Sequence, residues 1–359
     1  MGYRYIGSKS KIIDTVLKKI GDIVPEGAHV TDLMTGTATV AIKLRRHGYK
    51  VTANDLMTYS YHHAISGLKF SVPPTFQMAD EFISNNYRAI ENIPNPTRYE
   101  MMINALNNSE PIEGYFWREF SLSGAPIKSD KPRNYFSSEN AAKIDGIRAN
   151  IEKLVRYDAL KPNEKSLLLH DLIMGTNDVA NIAGTYGHHM AELVGRAKHS
   201  LELYPSELLT GEDAEHHTVL QGYAEEVSSQ ISCDICYIDP PYMKRQYAAN
   251  YHILETLARG DEPEAIGVSG LRPWRDQYSN FCTKTKIRDS FRSIITRMKT
   301  DNFLISYSED GLLDIEDFVE LLAPFGDVYI DEFVHKRFKS NSSKLKSQLT
   351  EYLIHLNRE

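Results

Sequence analysis

A chain of 359 residues, 42% hydrophobic and 25% charged, is long enough to bury a large core and to form two lobes. Its net charge of -7 argues against a uniformly basic surface, and three cysteines are too few for a disulfide scaffold. No apolar run is long enough to span a membrane and no signal peptide is expected, so a reducing cytoplasm is the expected compartment.

In chain order, Arg4-Tyr5-Ile6-Gly7-Ser8-Lys9 leads into an amphipathic helix with Ile12, Ile13, Val16, Leu17 and Ile20 on one face. Taken alone, this start is a terminus with a helix cap at Ser8 or Ser10. His29-Val30-Thr31-Asp32-Leu33 reads as a short buried strand, followed by the small-residue turn Met34 to Thr39 and a helix carrying Val40, Ala41 and Leu44. Such a turn lets backbone approach a cofactor closely. The next strand, Val51-Thr52-Ala53, ends in Asn54-Asp55, about twenty residues after the turn, the usual offset for an acid that takes ribose hydroxyls. A dinucleotide site is a weak fit, because the G-x-G-x-x-G positions read Gly36, Ala38 and Ala41.

From about 75 to 215 the pattern is helical and loop-rich, with apolar faces at Ile147, Ile151, Leu154, Val155 and at Leu167, Leu168, Leu169, Leu172, Ile173. The polar stretches 123–128 and 181–187 suit either the reading of base edges or plain interhelix turns. From about 216 an α/β pattern resumes, with strands at Ile235–Ile238, Phe303–Ser306, Val328–Val334 and Tyr352–His355. The first of these ends in Asp239-Pro240-Pro241-Tyr242. The prolines stiffen this corner and remove backbone donors, leaving the Pro240 carbonyl free to accept beside the Asp239 carboxylate. Two acceptors and an aromatic face suit a planar base with an exocyclic amine, although Asp and Pro also make ordinary turns. Cys233 and Cys236 form a C-x-x-C without a second ligand pair, and the three His-His pairs lack metal spacing, so no metal is expected.

In this order the motifs resemble those of DNA adenine-N6 methyltransferases of the DPPY type, the Dam-like group in which target recognition lies between the cofactor and catalytic halves. The likeness extends through 135–145, 250–257, 270–273, 306–311 and the closing Glu351-Tyr352-Leu353-Ile354. It implies an α/β, Rossmann-like S-adenosylmethionine-dependent methyltransferase fold with an inserted, mostly helical target-recognition region. The expected parts are residues 1–72 for the cofactor half, 73–215 for the insertion and 216–359 for the catalytic half. By the same likeness, Tyr5, Gly7, Lys9, Asp32, Met34, Gly36, Ala38, Asp55, Tyr223 and Asp239 would bind S-adenosylmethionine, and Asp239, Pro240 and Tyr242 would hold the reacting adenine. Asn140, Lys143, Asn250, Tyr251, Arg272, Lys336, Arg337 and Lys339 would contact double-stranded DNA, the last three from a basic loop suited to phosphate oxygens.

Three positions depart from the family's pattern. Met34 and Ala38 stand where the cofactor turn usually has Phe and a second Gly. Tyr223 stands where an acid near the cofactor's adenine is common, with Glu225 or Glu226 as substitutes. The implied reaction is methyl transfer to a flipped adenine in duplex DNA. Alternatives are an inactive DNA-binding or regulatory subunit, or a methylase of cytosine-N4, RNA adenine or protein glutamine. A companion restriction endonuclease is a candidate partner, a membrane is not, and a monomer or weak dimer is expected.

Overall fold

A computed structural model of the chain describes residues 12–89, 94–336 and 348–358. The chain divides into two compact units. Among the described residues, one joins 12–56, 216–246 and 278–358, and the other joins 57–215 to 247–277. The first is built on a seven-stranded sheet: β1 (His29–Asp32), β2 (Lys50–Asp55), β3 (Thr218–Gln221), β4 (Ile235–Ile238), β5 (Asn302–Ser308), β6 (Asp327–Lys336) and β7 (Gln348–Asn357). Their order is β3-β2-β1-β4-β5-β7-β6. Strands β3 through β5 are parallel, while β7 runs antiparallel between β5 and β6.

The central strands are apolar because both faces are covered. Every residue of Ile235–Ile238 is buried, as are six of the seven in β5. Helix Thr39–Arg46 connects β1 to β2, and helix Ile287–Arg297 precedes β5 after β4. The two crossovers step in opposite directions across the sheet, so right-handed connections put their helices on opposite faces. On the second face, Phe291, Ile294 and Ile295 join Phe318, Leu321 and Leu322 of helix Ile315–Leu322 over Cys236, Ile238, Phe303 and Ile305. The result is the expected Rossmann-like α/β architecture.

The second unit is helical, with Thr58–Leu68, Arg98–Asn107, Ser138–Arg156, Pro162–Asp178 and His252–Arg259 as its main elements. Local chemistry sets several starts: Thr97 and Glu100 form a capping box, Ser137 accepts from the Asn140 amide, and Pro162 occupies the first turn. Helix Thr58–Leu68 has no side-chain cap of its own. Glu255, fully buried on another helix, accepts from the Thr58 and Tyr59 amides and is balanced by Arg259 at 2.8 Å. This bond, and the buried face of Ile253, Leu254 and Leu257, hold 247–277 with the helical unit rather than with the sheet that precedes it in sequence.

Candidate functional site

The sheet order reverses between β1 and β4, and in open α/β sheets ligands bind outside the carboxyl ends of the strands at such a reversal. Asp32, the last residue of β1, pairs in register with Tyr237, and the Leu33 amide donates to the Tyr237 carbonyl at 3.0 Å. Asp239 follows β4 by one residue, while Asp55 ends β2 beside β1. Three carboxylates from three strands therefore converge at the reversal.

The turn after β1 is fixed by its own bonds. The Thr35 amide donates to the Asn54 carbonyl at 2.9 Å, the Ala38 amide to the Thr35 carbonyl at 2.8 Å, and the Gly36 amide to Asp55 Oδ2 at 2.8 Å. Gly36 has φ 54° and Ala38 φ 59°, so both occupy left-handed backbone. That conformation, rather than the small volume of the side chain alone, explains why glycine suits the position of Ala38; a non-glycine residue there costs about 1–2 kcal/mol. Asn54, to which the sequence assigned no role, donates from Nδ2 to the Leu33 and Gly222 carbonyls and so ties the ends of β1 and β3 to β2.

Burial raises Asp32 to about 7, with the charges of Asp239 and Asp55 adding to the shift and a 2.9 Å bond from Thr35 Oγ1 opposing it. A cation is the natural complement to this group. Tyr223 is half-buried just past β3 and opens the short helix Ala224–Val227. Of its two acidic neighbours, Glu225 is engaged by Ser290 Oγ at 2.6 Å and Glu226 is exposed. Met34 is partly buried against the core.

The Asp239–Tyr242 corner is braced by the loop after β5. The Tyr242 carbonyl accepts from the Leu312 amide at 3.1 Å, and its ring meets Tyr307 edge-on, with centroids 5.8 Å apart. Tyr307 is buried against Phe318, and its hydroxyl accepts from the Leu312 and Leu313 amides at 2.9 and 3.2 Å. Gly311 permits this packing, since a Cβ there would lie 2.1 Å from the Tyr307 ring. The sequence offered 306–311 only as a segment; the bracing role of Tyr307 depends on contacts made across the fold.

Several residues expected to contact DNA have partners within the helical unit. Arg272 is buried and holds Asp261 through two bonds of 2.8 and 2.6 Å, with a third to Thr256 Oγ1. Asn140 is buried, donating to the His199 carbonyl and accepting from the Leu201 amide, while Lys143 Nζ donates to the Leu201 carbonyl at 2.7 Å. Tyr251 is buried between Tyr247 and Tyr59. In this structure these four side chains bond or pack within the helical unit, since buried polar groups require partners. Asn250 is half-buried, and its carbonyl accepts from the Tyr186 amide at 2.9 Å. Lys336 ends β6, whereas Tyr5, Gly7, Lys9, Arg337 and Lys339 lie outside the described residues. Among the described residues, no group of three or more His, Cys, Asp or Glu is arranged to hold a metal ion, and no helix is long and apolar enough to cross a membrane.

Comparison with known proteins identifies the family of the chain. The chain is 30% identical over 99% of its length to Type II methyltransferase M.FokI of Planomicrobium okeanokoites and to the modification methylase StsI of Streptococcus sanguinis, of which it covers 53% and 52%. It thus spans about half the length of these curated relatives. Type II methyltransferase M.NlaIII of Neisseria lactamica is 29% identical, with 95% of this chain and 93% of that protein aligned. A solved precorrin-6y C5,15-methyltransferase from Geobacter metallireducens GS-15 aligns at a TM-score of 0.31 and 9% identity, over 98% of this chain and 90% of that one, a likeness too low to inform function. The profile of the D12 class N6 adenine-specific DNA methyltransferases matches residues 5–321, and the chain belongs to that family.

Proposed function

We propose that this chain transfers a methyl group from S-adenosylmethionine to the N6 amine of an adenine flipped out of duplex DNA. The observation that carries the reading is the meeting of Asp32, Asp55 and Asp239 at the reversal of the sheet, beside a turn whose glycine amide points at Asp55. The residues fit the cofactor. Left-handed backbone at Gly36 and Ala38 makes room for close approach, Asp55 suits ribose hydroxyls, and buried Asp32 is a suitable neighbour for a cationic sulfonium ligand. When bound, S-adenosylmethionine supplies an electrophilic methyl group.

The chain's own work concerns the amine. An adenine N6 lone pair is delocalised into the ring and is a poor nucleophile. Asp239 accepts one N–H and the Pro240 carbonyl accepts the other, favouring a pyramidal nitrogen whose lone pair can attack in line. Transfer would form the N–C bond as the methyl–sulfur bond breaks, leaving a neutral thioether, and the amine, then cationic, would give up the proton it shares with the Asp239 carboxylate to that group and on to solvent. Flipping the base costs a few kcal/mol, and stacking on Tyr242 offsets about 1–3 kcal/mol of that. The bracing of Tyr242 by Leu312 and Tyr307 keeps the stacking face in place, so that orientation supplies much of the acceleration.

The helical unit supplies target recognition, and the relatives' names support a place in restriction–modification with a companion endonuclease. Asp239→Ala is the test. The purified variant should fold and bind S-adenosylmethionine, yet methylate duplex DNA about 10²–10⁴-fold more slowly. Sequencing modified bases in DNA from cells expressing the wild-type protein should reveal N6-methyladenine. Methylation by the variant at the wild-type rate would overturn the catalytic assignment, and N4-methylcytosine would overturn the choice of base.

A further inference from the structure

Strand β6 lies at one edge of the sheet, and its outer side pairs with no other described strand. Its register with β7 runs unbroken over ten residues, from Asp327 opposite Asn357 to Lys336 opposite Gln348. The other edge strand, β3, has only four residues. An edge strand leaves a row of N–H and C=O groups unpaired, and proteins ordinarily blunt such a row with a bulge, a proline, lysines or a covering element. Strand β6 has no bulge and no proline, and its single lysine is its last residue. Val334 is 60% exposed, Tyr329 51% and Ile330 38%, so the edge carries uncovered apolar side chains on both faces. Successive side chains alternate between those faces. Tyr329 stacks on His355, and Asp331 meets Lys19 Nζ of helix Ile13–Ile23 at 2.5 Å, on one face. Val328 packs against the core on the other, which it shares with Ile330 and Val334.

We infer that β6 pairs antiparallel with β6 of a second copy of this chain, about a two-fold axis through Asp331, so that the sheet continues from one protomer into its partner. Such an axis stands perpendicular to the sheet and keeps each face continuous, so each residue stands opposite one on its own face. With the axis at Asp331, Tyr329 stands opposite Phe333 of the second copy on one face, and Val328 opposite Val334 on the other. Aromatic and β-branched pairs of this kind stabilise antiparallel strands. Two distinct apolar pairs, each made twice, favour this register over its neighbours, since axes at Ile330 or Glu332 give one such pair each. Two Asp331 carboxylates would repel at the axis, but each arrives with its own Lys19 ammonium, which offsets the repulsion. The strand is thus its own complement, and a second copy supplies the mate for both apolar pairs at once.

Sedimentation of the full chain over a concentration series should show a monomer–dimer equilibrium, and amide exchange over 327–334 should slow as dimer forms. Val334→Lys, at an exposed position opposite Val328, should raise the dimer dissociation constant by about tenfold or more, because the change enters the contact twice. Ile330→Lys, opposite Glu332 of the second copy, should leave that constant unchanged or lower it. Thermal melting of each variant as a monomer checks that it folds. Asp331→Cys tests the register, since opposed Cα atoms in an antiparallel ladder lie about 4.5–5.5 Å apart, within disulfide reach. Oxidation should lock this variant into a covalent dimer, whereas Tyr329→Cys, opposite Phe333, should cross-link no more than wild type. A wild-type chain that stays monomeric at every concentration would overturn the inference, whatever else binds the edge. So would a dimer equally affected by both lysine variants or by neither, open-ended oligomers, or cross-linking at Tyr329 as efficient as at Asp331.

Discussion

Cofactor affinity should rise with pH through neutrality, and Asp32 should be the reason. Its carboxyl is raised to about 7 in the ligand-free chain, first by burial and then by the nearby Asp239 and Asp55 charges. A cationic ligand beside it favours the carboxylate, so binding expels the proton held by the free protein. The sign follows directly: below the free protein's value the site must first deprotonate, which weakens binding by about tenfold per pH unit. Between about pH 8 and about pH 6 the dissociation constant for S-adenosylmethionine should therefore rise roughly tenfold. Calorimetry in two buffers of different ionisation enthalpy measures both the affinity and the proton released. Asp32→Asn should flatten the pH profile and abolish the proton release, at the cost of weaker binding above neutrality. A wild-type affinity that is constant over this range, with no proton released, would refute the placement of the cationic group beside Asp32.

Three further outcomes follow from the same structure. Gly36→Val places a side chain where the backbone is left-handed and Asp55→Ala removes the acceptor of the Gly36 amide, so calorimetry should show S-adenosylmethionine affinity falling by about tenfold or more in each. Tyr307→Phe keeps the ring against Tyr242 but leaves the buried Leu313 amide without its acceptor, so chemical denaturation should show a loss of about 1–3 kcal/mol, with kcat reduced less than in Asp239→Ala. Neutralising Lys336, Arg337 and Lys339 together should weaken binding to cognate and scrambled duplexes alike and flatten the salt slope by about 0.9 per lost phosphate contact. A changed site preference in a salt-series binding assay would instead give that segment a role in base reading.

Local sequence determined the pieces of this site. The run Ile235–Ile238 is continuously apolar because both faces of a parallel sheet are covered, and the acids that end β1 and β2 and follow β4 are visible by position alone. The prolines after Asp239 announce a stiff corner, and apolar spacing announces the helices Ser138–Arg156 and Pro162–Asp178. Tertiary structure decided how the pieces meet. Pairing of β1 with β4 brings Asp32 toward Asp239 across most of the chain's length, and it is this proximity, with burial, that raises the Asp32 carboxyl. Nothing in the turn's composition reveals that Ala38 adopts a positive φ, or that Tyr307 and Gly311 interlock behind Tyr242. The inward-facing Arg272, Asn140 and Lys143 mark the same limit. A polar side chain faces a duplex or a buried partner according to which groups the fold sets opposite it, and Asp261, His199 and Leu201 are in place only once the helical unit has packed.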